Sequence, residues 1–148
     1  ETFSENHDRE LASFATNAER MDSILYSIFP NFAPWAGFHP NITYRFRPNG
    51  DDHTTALMEV IVIKQLATGA PRPKDVPVRR LGDNELFSEA PELGVSLGNI
   101  FDQDLFNMPM IQKGMHNVKS RELVLADYHE VRIRHYHQTI DKYINGEL

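Results

Sequence analysis

Between Leu97 and Met115 the chain sets Leu97, Ile100, Phe101, Met108, Ile111 and Met115 three and four residues apart. That is the period of one helix face, and Asp104 falls on the same face. Asp102, two residues earlier, points nearly the opposite way. Pro109 lies inside this stretch and removes the bond to the Leu105 carbonyl, so a kink or local widening is expected there. A carboxylate withdrawn from water is costly unless a cation or hydrogen-bond donors meet it, so an inward Asp104 needs a partner.

The rest of the chain divides into recognisable periods. Leu11, Phe14, Ala15, Ala18 and Met21 predict an amphipathic helix over about Asp8 to Met21. ILYSIFPNF suits a strand that ends at Pro30, and APWAGFHP, rich in proline, glycine and aromatics, reads as a loop. NITYRFRP alternates Ile42, Tyr44 and Phe46 with Thr43, Arg45 and Arg47, a half-buried strand. PNGDDH then supplies turn residues and TTALMEVIVIKQL returns as a longer strand, so the pair predicts an antiparallel hairpin. The three prolines of ATGAPRPKDVPVRRL favour an extended surface connection. In the last element Asp127 and Glu130 have capping-box spacing. Ile133, Tyr136, His137, Ile140, Tyr143 and Ile144 follow as one helical stripe before Gly146. A hairpin followed by two substantial helices predicts an α+β domain, with helices covering one face of an antiparallel sheet.

Composition narrows the function classes. With 148 residues, 41% of them hydrophobic, residues 1–148 are expected to form a single domain. The net charge of −6 and scattered basic residues argue against nucleic acid or an anionic membrane as the main partner. No signal-peptide pattern opens the sequence, so a cytoplasmic location is expected. Zero cysteines remove thiol nucleophiles, cysteine-type zinc sites and any iron–sulfur cluster held by this chain's own thiolates.

Two readings of Asp104 follow. It either pairs structurally with an arginine, or it binds a metal, as the single carboxylate does beside two histidines in non-haem iron oxygenases. The histidines supply no obvious partners. His7, His39, His53 and His116 are isolated, and among His129, His135 and His137 no two are four residues apart. His137, on the apolar stripe, reads as a hydrogen-bonded core histidine. No G-x-S-x-G elbow and no glycine-rich phosphate loop occur. Phe32, Trp35 and Phe38 in NFAPWAGF suit either an apolar pocket or ordinary core and loop packing.

Three ordered blocks, YSIFPNFAPWAGFHPNITYRFRPNGDDHTTALMEV, LGNIFDQDLFNMPMIQKGM and LADYHEVRIRHYHQTIDKYI, resemble the C-terminal part of the catalytic domain of Rieske-type aromatic-ring-hydroxylating oxygenase α subunits. The resemblance runs from about Glu19 to the end. It implies a helix-grip catalytic domain that uses O2 and a mononuclear non-haem Fe(II) to hydroxylate an aromatic or otherwise apolar substrate. Electrons would arrive through a Rieske [2Fe–2S] cluster from ferredoxin and reductase partners. The iron would be held by two histidines from an earlier part of the chain and by one aspartate of a late helix, which the resemblance assigns to Asp104. Asn107 and Gln112 in the same block are implied as pocket residues or as supports of the ligand, beside Phe32, Trp35, Phe38 and Met108, which are pocket candidates by their apolar character. The Rieske cysteine–histidine pairs and the upstream two-histidine iron motif have no counterpart here. The chain is therefore expected to supply one of three iron ligands and part of the pocket, and to be inactive alone.

Two other classes compete with this reading. One is a non-catalytic helix-grip module that binds a hydrophobic small molecule, with Asp104 bonding ligand or backbone. The other is an assembly role, in which a hydrophobic sheet edge makes a homo-oligomer.

Overall fold

A computed structural model of the chain describes residues 13–37, 41–63, 66, 69–120 and 122–148. The chain resolves into two compact units, Glu1–Pro77 and Val78–Leu148. The first carries the sheet and the second the long helices, an α+β composition as expected.

In the first unit a short helix α1 spans Asn17–Met21. The predicted helix reached back to Asp8, and its beginning lies outside the described residues. Within them, Thr16 interrupts it. Its hydroxyl accepts the Glu19 N–H at 3.2 Å while the Glu19 carboxylate accepts the Thr16 N–H at 2.8 Å. This reciprocal cap starts a helix at residue 17, because both side chains satisfy N–H groups that have no intrahelical partner.

Four antiparallel strands follow in the order β1 (Ile24–Leu25), β2 (Phe32–Ala36), β3 (Ile42–Asn49) and β4 (Asp52–Val62). The expected strand over ILYSIFPNF is reduced to Ile24–Leu25 and a single bridge between Ile28 and Phe32, where the chain reverses. The expected loop at APWAGFHP is in part a strand: Leu25 pairs with Trp35 on one side of β2, and Ala33 with Tyr44 on the other. Pro34 lacks an N–H, yet its carbonyl still accepts from the Tyr26 N–H at 3.0 Å, so one ladder bond survives where the composition suggested none.

The hairpin of β3 and β4 forms as its alternation predicts, in continuous register from Ile42 opposite Val62 to Pro48 opposite Ala56, and the register shifts between Pro48 and Asn49, where Asn49 lies opposite Asp52. Gly50 occupies the turn at φ +60°, a conformation that costs glycine little. On one face Arg45 and Arg47 both reach the Glu59 carboxylate, at 2.5 and 2.6 Å. Thr43 belongs to the same polar set and is nevertheless only 3% exposed, its hydroxyl donating to the Ala33 carbonyl at 3.2 Å. Ile42 is buried beside it in sequence. Trp35 meets Tyr44 edge-on with ring centres 6.2 Å apart.

In the second unit an exposed extended segment leads to a 3₁₀ turn, Phe87–Glu89, and then to helix α2, Val95–Asn117. The helix continues through Pro109. Helix α3, Val131–Ile144, begins one turn later than the predicted capping box. Glu130 does bond back to a backbone N–H, but to that of Ala126, while Asp127 lies 3.7 Å from Arg134. The stripe on α3 stays largely open, with Tyr136 and Ile140 half-buried and His137 exposed, so His137 is not a core histidine among the described residues. No helix of the described residues is long and apolar enough to cross a membrane.

Candidate functional site

The first half of α2 is fastened to the 3₁₀ turn. Phe101 is the most buried large side chain described, 1% exposed, and its ring centre lies 5.3 Å from that of Phe87. Gly98 is buried on the same side. A Cβ there would stand 2.4 Å from the Ser88 Cα and 2.8 Å from the Phe87 carbonyl oxygen, so only glycine lets the two backbones approach this closely.

The half-buried aspartate of this helix is Asp102. Its carboxylate accepts the Phe87 N–H at 2.6 Å and the Ser88 N–H at 3.2 Å. Hydrogen bonding by the Ser88 side chain, together with these N–H donors, holds the Asp102 carboxyl below the usual carboxylate range against the opposing effect of its burial. The partner that a carboxylate in this helix requires is thus a pair of backbone amides and a serine.

Asp104 lies elsewhere. Two residues on, about 200° around the axis, it is exposed, and its carboxylate makes no hydrogen bond or ion pair among the described residues. The predicted inward orientation is therefore corrected. The packed side runs through Gly98, Phe101 and Asp102, with Leu97 and Leu105 half-buried, while Ile100, Met108, Ile111 and Met115 are exposed around Asp104. The reason is geometric: the apolar stripe and the side facing the 3₁₀ turn differ by about one residue's rotation, roughly 100°.

The other predicted site residues divide between the units. Phe32 and Trp35 are half-buried on β2, and the Trp35 Nε1–H is buried without an acceptor among the described residues. Phe38 lies outside the described residues. Asn107 and Met108 are exposed on α2. Gln112 is half-buried and lines a groove of about 420 Å³ with Met115, His116, Glu122 and Leu123. Its Nε2 lies 3.4 Å from the His116 Nε2. His116 was not among the predicted pocket residues, although its i,i+4 spacing from Gln112 is a legible signal.

A family model described as the ring hydroxylating alpha subunit (catalytic domain) matches residues 1–146. The chain belongs to this family. No curated protein and no solved structure matches it. Membership accounts for an α+β chain with an antiparallel sheet followed by helices, consistent with part of a ring-hydroxylating α subunit's helix-grip catalytic domain. The family consists of non-haem iron oxygenases; Asp104 offers a hard oxygen donor that makes no hydrogen bond or ion pair among the described residues. Among the described residues no three His, Cys, Asp or Glu side chains come together as a metal-binding group. With no cysteine, the chain also holds no Rieske cluster of its own.

Proposed function

We propose that the two units belong to one domain, the C-terminal portion of a cytoplasmic ring-hydroxylating oxygenase catalytic domain, in which Asp104 is the iron-binding carboxylate. The observation that carries this reading is an exposed carboxylate, without hydrogen bond or ion pair among the described residues, on a helix fastened down along another side. A ligand must be unbonded to be available and held on a rigid element to be useful. Bound Fe(II) would activate O2 toward an aromatic or apolar substrate, with electrons delivered by ferredoxin and reductase partners.

The chain's own residues would bind and orient. Ile100, Met108 and Ile111 offer an apolar wall around Asp104 that would exclude water from the reacting ring. Gln112 stands about two helical turns and His116 about three beyond Asp104, and both would hydrogen-bond a polar substituent of the substrate. Asn107, by the family resemblance, and Phe32, Trp35 and Phe38, by their apolar character, would be further pocket residues.

The test uses the intact α subunit carrying this chain and its Asp104→Ala variant, each loaded anaerobically with Fe(II). The variant is expected to lose mononuclear iron and hydroxylation, by more than the roughly 10–100-fold typical of losing a residue that only supports a ligand. Retention of iron and turnover would sink the assignment. Binding of apolar ligands with no iron requirement would point to the non-catalytic module instead.

A further inference from the structure

Asp102 has no place in the proposed iron site, yet it is the most heavily hydrogen-bonded side chain described on α2. Both carboxylate oxygens are engaged, one by the Phe87 N–H at 2.6 Å and one by the Ser88 N–H at 3.2 Å, 15 and 14 residues back in the chain. The apolar contacts beside it act differently. Phe101 against Phe87 supplies burial, which is non-directional, and Gly98 supplies close approach. Only the Asp102 bonds depend steeply on angle.

We infer that Asp102 is a positioning residue: by gripping the backbone of Phe87 and Ser88 it fixes the rotation of α2 about its axis and so sets where Asp104 presents its carboxylate. The inference rests on the proposed role of Asp104. Geometry gives it weight. A carboxylate about 5–6 Å from a helix axis moves by about 2 Å when the helix turns by about 20°. Metal–ligand distances tolerate about 0.2 Å, and a working site about 0.5 Å. A helix held by apolar contact alone leaves that rotation loosely specified, whereas two charge-assisted hydrogen bonds to a fixed backbone do not.

The experiment compares Asp102→Asn, Asp102→Glu, Ser88→Ala and Asp104→Ala in the intact α subunit. It reads the Fe(II) dissociation constant and the electron paramagnetic resonance of the mononuclear iron with nitric oxide as probe. Asp102→Asn is expected to raise the dissociation constant about 10–100-fold and to broaden the resonance. Ser88→Ala, which leaves both backbone bonds in place, should move both readouts less and in the same direction. Asp102→Glu, with the charge retained, should recover part of the loss. A lower melting temperature for Asp102→Asn with an unchanged dissociation constant and spectrum would overturn the proposal. Should Asp102→Asn fail to fold, Ser88→Ala decides by the same readouts, and no change in either overturns it. Asp104→Ala separates the two claims. If it keeps iron, the ligand assignment fails whatever Asp102 does; if it loses iron while Asp102→Asn and Ser88→Ala match the parent, only the positioning role fails.

Discussion

The two sides of α2 are built on opposite terms. The packed side contains a glycine, an aspartate, one large aromatic and two half-buried leucines, and it is fastened to the 3₁₀ turn by backbone approach, hydrogen bonds and a ring contact. The open side carries Ile100, Met108, Ile111 and Met115, with Ile100 55% and Ile111 60% exposed, and among them the Asp104 carboxylate, which makes no hydrogen bond or ion pair among the described residues. Burial thus follows the position of a partner segment, and hydrophobicity alone does not choose the packed face. An apolar stripe kept open on a well-anchored helix is the kind of surface that contacts a ligand or another segment, which suits Asp104 as part of a pocket wall.

The sharpest way to break this comparison is to truncate one apolar residue on each side. Phe101→Ala should destabilise the second unit by about 3–5 kcal/mol in urea denaturation, because it leaves a cavity in the contact with Phe87. Ile111→Ala should change stability by no more than about 0.5 kcal/mol, the range for exposed substitutions. Equal costs would mean that the open side is covered in solution. Gly98→Ala follows in size. Its new methyl would meet the Ser88 backbone at 2.4 Å, so the turn and helix must move apart, at a cost of about 1–3 kcal/mol. A neutral Gly98→Ala would show that the close approach is not maintained.

What could be read from the sequence follows the same division. The β3–β4 hairpin was legible because both of its signals are local: a period of two, and the turn residues of PNGDDH, of which Gly50 and Asp51 form the turn between the strands. The extent of α2 was legible for the same reason, but its packed side was not. Periodicity reports where apolar residues fall, and the segment that covers Phe101 and Asp102 is set by a connection ending more than a dozen residues earlier. Nor does a backbone N–H leave a residue signature, so nothing in the identities of Phe87 and Ser88 announces a carboxylate clasp. Strand β2 was hidden by its proline and glycine content, since a loop and a strand that keeps only its carbonyl bonds at Pro34 look alike in composition. The Thr16 and Glu19 cap was readable as a local motif and outweighed by the longer apolar period running through it. Asp104 emerged as a ligand candidate from the FDQD block of the family resemblance, and its helical phase pointed inward where the structure has it exposed.

The smallest expected effect is also the most local, and it separates the clasped aspartate from its neighbours. Donors that stabilise the charged form lower the Asp102 pKa in the folded chain. Its contribution to stability is therefore complete above the ordinary aspartate pKa and disappears as the pH falls through the lower folded value. In an NMR titration the Phe87 and Ser88 amide resonances should hold steady across the ordinary carboxylate range and move only below it, as protonation weakens the bonds they donate. In Asp102→Asn the same resonances should lose this acid transition. A midpoint within or above the ordinary range would show that the carboxylate is not clasped in solution, and both the packed side of α2 and the positioning of Asp104 would then need another anchor.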